Sequence, residues 1–283
     1  MRSSIWPAPA KLNLFLHIIG KRADGYHLLQ TVFQFIELAD KIDFTITESG
    51  LIKRKKNSSV IDENNDLVVM AAKKIKEISG SKLGVDISVE KNIPIGAGLG
   101  GGSSDAATTL VALNELWHAG LSTEELMKIG LSLGADIPFF IYGRAAWSEG
   151  VGEELAPIDL YERFYLVIYP DCSISTKSIF AASDLTRNTP RITIRDFYEG
   201  RVQNDCESYV RNHYSNVAEA LDWLGNYADS KLTGTGACLF AEFADKNKAN
   251  EVKIKLPKKW QGFVVKGINK SPLLGRLAKE QKG

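Results

Sequence analysis

Apolar and polar positions alternate with two different periods on the two sides of a glycine-rich run in the first half of the chain. Before the run, residues 85–89 alternate between apolar and polar side chains, a pattern typical of a half-buried strand. After it, residues 106–117 place apolar side chains at helical spacing, with Ser103, Ser104 or Asp105 available as the N-cap. The pattern predicts a strand, a glycine loop and a helix N-terminus, in that order.

The same patterns predict elements on both sides of this unit. Residues 11–18, 29–37 and 41–47 show strand periodicity, and we expect them to form an antiparallel start to the chain. A helix then follows, with Asn65 or Asp66 as its N-cap. These elements assign the first half to a mixed α+β unit.

The second half shows a different order of elements. From about residue 160 the patterns predict strand, helix, strand, strand, helix and strand, which is the order of a ferredoxin-like unit. Residues 234–236 lie between two of these strands, where a hairpin turn is the simplest interpretation. We therefore expect an α+β protein with two domains, at residues 1–160 and residues 161–283.

The glycine-rich run has the composition of a phosphate-binding loop. It consists of Pro94, Ile95, Gly96, Ala97, Gly98, Leu99, Gly100, Gly101, Gly102, Ser103 and Ser104. A glycine loop before a helix N-terminus brings free N–H groups and the positive end of the helix dipole to one place. No lysine follows the last glycine, which excludes a P-loop, and the GxGxxG match is too common in glycine-dense loops to indicate a dinucleotide site. A plain glycine-rich turn is the alternative.

Two further segments carry candidate polar chemistry. In the strand at residues 11–18, alternation places Lys11 and Asn13 on one face, either reaching a small polar ligand or facing solvent at an edge. Asp136 stands alone in an apolar segment before Pro138. Its carboxylate either caps the short helix that the proline predicts or accepts a proton from a bound hydroxyl.

Composition narrows the classes of partner. The 283 residues carry a net charge of +1, so no overall field attracts nucleic acid or an anionic membrane. The basic run at residues 53–56 is interpreted as a solvated hairpin tip. Three widely spaced cysteines, without a signal peptide or an apolar run of membrane-spanning length, lead us to expect a cytoplasmic protein with reduced thiols.

Taken together, five segments resemble the GHMP small-molecule kinases. The match covers nearly the whole chain and is specific to the branch that phosphorylates a cytidylylated methylerythritol. The segments are residues 9–14, 24–27, 94–104, 134–138 and 233–238. The resemblance implies an N-terminal domain like domain 2 of ribosomal protein S5 and a ferredoxin-like C-terminal domain. It also implies a small-molecule substrate and the cofactors ATP and Mg²⁺.

The resemblance further implies roles for single residues. The glycine loop would hold the triphosphate, with Ser103 and Ser104 near the β-phosphate or Mg²⁺. Asp136 would be the base and Lys11 its partner. Asp66 stands where the family commonly has asparagine, so either Asn65 or Asp66 would contact adenine. The residues implied to contact the substrate are Asn13, Tyr26, His27, Thr176 and Phe180.

Three rival functions share parts of this pattern. Another GHMP kinase, acting on homoserine, mevalonate or a sugar, would keep the glycine loop but has no need for the Tyr26–His27 pair. An RNA-binding module built on the S5-like domain is disfavoured by the near-zero net charge. A nicotinamide-dependent oxidoreductase requires a second parallel strand that ends in an acidic residue about 20 positions after the glycine loop. The pattern there predicts a helix instead.

Overall fold

The computed structural model describes residues 3–55 and 66–282, and within these ranges the strands join into one mixed sheet. The strands are β1 (Ser3–Lys21), β2 (His27–Thr47), β3 (Ile52–Arg54), β4 (Gly84–Glu90), β5 (Ala146–Glu149), β6 (Glu154–Pro157), β7 (Phe164–Tyr169), β8 (Ser230–Leu232), β9 (Leu239–Phe243) and β10 (Gln261–Ile268). The sheet runs in the order β3-β4-β2-β10-β7-β9-β8, with β1 and β5 paired to β2 and β6 paired to β5. Strands from both halves of the chain therefore share one sheet.

Helices cover this sheet in two groups. They are α1 (Leu67–Ser79), α2 (Gly101–Leu116), α3 (Thr123–Leu133), α4 (Ile137–Tyr142), α5 (Thr176–Ala181), α6 (Ile194–Tyr198), α7 (Glu207–His213), α8 (Ser215–Gly225), α9 (Lys246–Lys253) and α10 (Pro272–Glu280). The predicted α+β class is confirmed. Across the described parts of the chain, no helix is both long and apolar enough to cross a membrane.

The second half has the predicted ferredoxin-like topology. Its four strands lie in the order β10-β7-β9-β8. The first strand of this half, β7, therefore lies between the last strand, β10, and the third strand, β9. The helices α8 and α9 pack against these strands through buried Leu221, Leu224 and Ala249. The order follows from two split strand–helix–strand units whose helices share one face.

The boundary between the two halves is crossed twice. Strand β10 pairs with β2 through Gly267 opposite Ile36 and Ile268 opposite Phe35. After β10, helix α10 returns to the first half, where Leu273 is buried in the same apolar core as the helices α1 to α4. The division at residue 160 stays a prediction.

The start of the chain has fewer and longer strands than the pattern predicts. The segments predicted as two strands, residues 29–37 and 41–47, are parts of the single strand β2. The intervening Asp40 makes no turn, because its carboxylate is buried and accepts the backbone N–H groups of Asn92 and Ile93 at 2.6 and 2.8 Å. The prediction of two separate strands was wrong.

Strand β1 is buried on both faces. Its pairing with β2 shifts register between Asn13 and Leu16, so the alternation expected over residues 11–18 is not kept. Leu12 joins the core beneath the glycine loop, whereas Leu16 lies in the core of the second half. A solvent-facing edge is excluded, since Lys11 and Asn13 are both 3% exposed.

Two further expectations concern the basic run and the cysteines. The basic run is not a hairpin tip: Lys53 and Arg54 belong to β3, a strand paired in parallel with β4, and Lys56 lies outside the described residues. Cys172, Cys206 and Cys238 are all unpaired, as expected.

Candidate active site

A cleft of about 400 Å³ lies where the glycine-rich loop meets β1 and the loop between β8 and β9. Most of the residues predicted for the site line it. They are Lys11, Asn13, Asp66, Pro94, Ile95, Gly96, Ala97, Gly98, Leu99, Gly100, Gly101, Gly102, Ser103, Asp136, Thr176 and Phe180. Ser104, Tyr26 and His27 are not among the lining residues, and Asn65 lies outside the described part of the chain.

The glycine loop enters helix α2 through glycines whose backbone conformation and close neighbours disfavour a side chain. The N-cap is Gly100 in the left-handed conformation with φ of 73°, not one of the predicted residues Ser103, Ser104 or Asp105. A Cβ atom at Gly98 would lie 2.5 Å from the carbonyl oxygen of Thr233. Contact with a loop from the other half of the chain therefore leaves no room for a side chain there.

Helix α2 presents its free N–H groups to the cleft. With a glycine at the N-cap, no side chain caps the first turn, so these donors remain available to an anion. Ser103 lines the cleft beside them, whereas Ser104 is fully buried and its hydroxyl has no partner within residues 3–55 and 66–282. The first turn thus has the free N–H groups that the predicted phosphate-binding loop requires.

Lys11 holds the centre of the cleft. Its ammonium donates to Asn13 Oδ1 at 2.5 Å and to the carbonyl oxygen of Gly98 at 3.1 Å, and it lies 3.5 Å from Asp136 Oδ2. These bonds fix a buried cation against the glycine loop. The pairing with Asp136 brings together two residues that the sequence placed in separate segments.

Asp136 occupies the N-cap position of α4, but its side chain does not cap the helix. No hydrogen bond joins its carboxylate to the first turn, and Pro138 removes one of the N–H groups that need a cap. The side chain is 37% exposed in the cleft. Of the two interpretations left open by the sequence, the geometry favours a carboxylate that is available to a ligand.

Asn13 connects the centre of the cleft to β2 and to the loop between β8 and β9. Its side-chain amide donates to Thr31 Oγ1 at 3.0 Å, and its backbone N–H donates to Thr233 Oγ1 at 2.9 Å. With its oxygen bonded to Lys11, the Asn13 side chain is held on both sides by protein. The Asn13 side chain therefore orients Lys11 and also lines the cleft.

The loop between β8 and β9 does more than reverse the chain. Thr235 lines the cleft and shares a 3.0 Å hydrogen bond with Thr176. Asn204 donates to the carbonyl oxygens of Leu232 and Gly234 at 2.9 and 2.8 Å, which holds the loop in place. The interpretation of residues 234–236 as a simple hairpin turn missed this role, because only the fold brings them to the glycine loop.

Asp66 caps helix α1 and carries an ion pair. One carboxylate oxygen accepts the N–H of Val68 at 2.9 Å and the other lies 3.2 Å from Arg54 Nε. Arg54 also lines the cleft, which the sequence interpretation of the basic run did not foresee. Both oxygens of Asp66 are therefore already engaged by protein groups.

A charge cluster lies beside the glycine loop, with Asp40 and Asp105 buried and Lys91 lining the cleft. Lys91 donates to carboxylates of both Asp40 and Asp105, the second at 2.7 Å. Burial would lower the pKa of Lys91, but the two carboxylates outweigh it and raise that pKa. Burial also raises the pKa of Asp105 to about 7; Asp40 adds to the shift and Lys91 opposes it. Sequence spacing alone contains no signal for this cluster.

The aromatic residues predicted to bind the substrate differ in their contacts and in their exposure. The His27 ring stacks on Phe180 with centroids 4.9 Å apart and an angle of 21°. Burial, together with Arg187 and Lys21, lowers the pKa of His27 below 6.5. Tyr26 is 60% exposed at the end of the β1–β2 turn. Phe180 therefore connects His27 to the cleft, and Arg187 is a neighbour that sequence patterns did not identify.

Comparison with known proteins gives a consistent family. Residues 66–144 match the GHMP kinases N terminal domain and residues 185–262 match the GHMP kinases C terminal domain. The chain is 51% identical to the 4-diphosphocytidyl-2-C-methyl-D-erythritol kinase of Alkalilimnicola ehrlichii over 98% of this chain and 95% of that protein. It is 53% identical to the kinase of the same name from Shewanella baltica, over 96% of each chain.

A solved structure agrees with these relatives. The crystal structure of a 4-(cytidine 5'-diphospho)-2C-methyl-D-erythritol kinase superposes with a TM-score of 0.82 at 30% identity, covering 94% of this chain and 100% of that one. Identity of this extent over nearly the full length cannot reflect a shared fold alone. The chain belongs to the 4-diphosphocytidyl-2-C-methyl-D-erythritol kinase family within the GHMP kinases.

Proposed function

We propose that this enzyme transfers the γ-phosphoryl group of ATP to the 2-hydroxyl of 4-diphosphocytidyl-2-C-methyl-D-erythritol, a step of the non-mevalonate route to isoprenoid precursors. The observation that carries the proposal is the Lys11–Asp136 pair, 3.5 Å apart in the cleft beside the glycine loop. Phosphoryl transfer needs little covalent chemistry from protein and depends on positioning and on the neutralisation of charge. A fixed cation and an available carboxylate beside an anion site meet both needs.

The glycine loop and α2 hold the triphosphate of ATP in this proposal. The uncapped N–H groups of the first turn bind phosphate oxygens, with the Ser103 hydroxyl beside them. Ile95, 59% exposed at the rim of the cleft, offers an apolar surface to the nucleotide. Arg54 adds a cation on the same side.

Mg²⁺ fits the residues present as an ion that arrives with the nucleotide. No group of three or more metal-ligating side chains occurs within residues 3–55 and 66–282, and Mg²⁺ is commonly held by substrate phosphates and water with one or two protein oxygens. The Ser103 hydroxyl, in the cleft beside the free N–H groups of α2, is a protein oxygen that suits it. The ion supplies neutralisation of the charge on the phosphates.

Asp136 accepts the proton of the attacking hydroxyl. A general base must lie within reach of the hydroxyl, and the Asp136 carboxylate is exposed to the cleft without a capping bond. Lys11 orients both the carboxylate and the incoming hydroxyl and balances the charge that develops between them. Asn13 keeps Lys11 in this position.

The cytosine of the substrate binds at the aromatic end of the cleft. Tyr26 and Phe180 supply stacking surfaces, which contribute about 1–3 kcal/mol per base but tolerate any base. His27 then supplies hydrogen bonding to the base edge, and Thr176 contacts the polar end of the substrate. The unpaired cysteines support a reducing, cytoplasmic setting for the reaction.

An acceptor panel tests the proposed function. The enzyme is incubated with Mg-ATP and, separately, 4-diphosphocytidyl-2-C-methyl-D-erythritol, homoserine, mevalonate or galactose, and ADP formation is followed. We expect turnover with the cytidylylated acceptor alone, because an absent base leaves polar groups of the site unpaired at about 1–3 kcal/mol each. Equal turnover of an acceptor without the nucleotide would leave only the GHMP assignment, and no ADP with any acceptor would refute the kinase proposal.

A further inference from the structure

Arg187 connects the two aromatic residues at the end of the cleft through a set of directed hydrogen bonds. Its Nε donates to His27 Nε2 at 3.0 Å. Its terminal nitrogens donate to the carbonyl oxygens of Leu185 at 2.9 Å, Phe180 at 3.2 Å and Ala182. The guanidinium is therefore fixed on the C-terminal end of α5, where unpaired carbonyls and the helix dipole favour a cation.

This contact determines which nitrogen of His27 carries the proton. An arginine Nε–H always donates, so His27 Nε2 must accept, and the proton of the neutral ring then resides on Nδ1. Burial and the neighbouring cations Arg187 and Lys21 lower the pKa of His27, which keeps the ring neutral at neutral pH. The ring has one tautomer available.

The Nδ1 edge of the same ring remains free for a ligand. Among residues 3–55 and 66–282, His27 Nδ1 has no hydrogen-bond partner, and it is not one of the buried unpaired atoms, so it reaches the surface. The ring is held in place by stacking on Phe180, whose side chain lines the cleft. A fixed donor therefore stands next to the cleft, on a ring that stacks against its lining residue Phe180.

We infer that Arg187 is a positioning residue: by donating to His27 Nε2 it fixes the Nδ1–H tautomer that the base contact proposed above for His27 requires. The inference rests on the proposed function and adds the residue that keeps the base-contacting ring in one tautomer. Cytosine presents an acceptor at N3, whereas uracil carries a hydrogen there, so an Nδ1–H group pairs with the first and opposes the second. Stacking on Phe180 or Tyr26 does not distinguish the two bases.

The test compares two substrates that differ only in the base. The enzyme and its Arg187→Met variant are assayed with the cytidylyl substrate and with its uridylyl analogue, with KM for ATP as an internal check. We expect wild-type kcat/KM to favour the cytidylyl substrate about 100-fold. In the variant this ratio is expected to fall about tenfold, which corresponds to a loss of about 1.4 kcal/mol of hydrogen bonding to the base. KM for ATP is expected to stay unchanged.

A spectroscopic measurement separates tautomer control from simple support of the fold. The chain has four histidines, so the ¹⁵N signals of His27 are assignable. We expect wild-type His27 to be protonated on Nδ1 and not on Nε2, and the Arg187→Met variant to populate the Nε2–H form. Arg187→Lys, which keeps a donor near Nε2, is expected to restore part of the base preference.

Arg191→Met is the matched control. Arg191 lies in the same segment and pairs with Glu149, but it does not contact His27. Its variant is expected to keep the wild-type base preference and the Nδ1–H signal. An Nε2–H signal in the wild-type enzyme, or an unchanged base preference in both Arg187 variants, would overturn the inference. The proposed function would still stand in either case, provided the wild-type enzyme phosphorylates the cytidylyl substrate.

Discussion

At the scale of single residues, the part a polar side chain plays depends on which of its atoms the protein already uses. Asp66 and Asp136 both stand at helix N-caps, yet only Asp66 bonds the first turn of its helix. The second oxygen of Asp66 is paired with Arg54, whereas the Asp136 carboxylate faces Lys11 and the cleft. The same residue type at the same helical position is structural in one case and available for chemistry in the other.

Asp136→Ala separates these two roles. We expect kcat to fall about 100-fold or more, the usual effect of losing a general base, while the free energy of unfolding changes little because no cap bond is lost. Asp245→Ala is the control, since Asp245 accepts the N–H of Lys248 at 2.9 Å and lies outside the cleft. That variant is expected to lose about 1 kcal/mol of stability and keep its kcat. Near-wild-type turnover in Asp136→Ala would remove Asp136 from the mechanism.

The buried Asp105 predicts a pH dependence of stability. Its pKa is raised to about 7 by burial and by Asp40, above its ordinary value of 3.8, so the folded state holds a proton that the unfolded state has released. Stability is therefore lost as pH rises from about 4 to about 7. In Asp105→Asn this loss is absent, and we expect the wild-type free energy of unfolding to fall relative to the variant by on the order of 1–4 kcal/mol across that window. Urea titrations at several pH values measure it, and parallel curves for the two proteins would contradict the prediction.

At the scale of elements, the cleft depends on contact between two loops from opposite halves of the chain. The glycine loop approaches the β8–β9 loop so closely that the N–H of Cys238 donates to the carbonyl oxygen of Ala97 at 3.0 Å. The backbone at Gly98 passes directly beside Thr233. The shape of the cleft at the glycine loop is therefore set by the second half as well as the first.

Gly98→Ala tests this contact against a matched glycine. Gly98 and Gly120 have φ of 77° and 72°, so alanine costs about 1 kcal/mol of backbone strain at either position. At Gly98 the added Cβ would also meet the carbonyl oxygen of Thr233 at 2.5 Å, whereas nothing lies within 4 Å at Gly120. We expect KM for ATP to rise about tenfold or more in Gly98→Ala and to stay unchanged in Gly120→Ala. Equal KM values in the two variants would show that the loop contact does not shape the nucleotide site.

At the scale of the whole molecule, one sheet and one returning helix join the two halves. The β2–β10 pairing makes the sheet continuous, and α10 places Leu273 in the core of the first half at 1% exposure. The last helix is thus part of the fold that supports the glycine loop.

Leu273→Ala is expected to destabilise the protein by about 2–5 kcal/mol, the range for removing a buried leucine side chain. Leu131→Ala, at a position that is 39% exposed, is expected to cost much less. Chemical unfolding followed by circular dichroism measures both free energies. If the two variants lost the same stability, α10 would not be part of the first core.

Features that depend on neighbouring residues in the chain were predictable from the sequence. The strand before the glycine loop and the helix after it both follow from short-range spacing, and the structure confirms them. The ferredoxin-like order of the second half was predictable as well, because the patterns alternate clearly and connections between such elements are constrained. The family resemblance located Lys11 and Asp136 as partners before any distance was known.

What only the tertiary structure decided are the contacts between distant residues. Arg187 meets His27 across 160 positions, and no local pattern marks either residue as the partner of the other. The continuity of β2 through Asp40 likewise depends on backbone N–H groups more than 50 positions away. Local propensity acts over a few residues, whereas burial and hydrogen-bond satisfaction are decided by whatever the folded chain packs alongside. For that reason the sequence determined most of the helices and strands and the glycine loop. The fold determined which residues line the cleft, which charges lie there and which hydrogen bonds hold them in place.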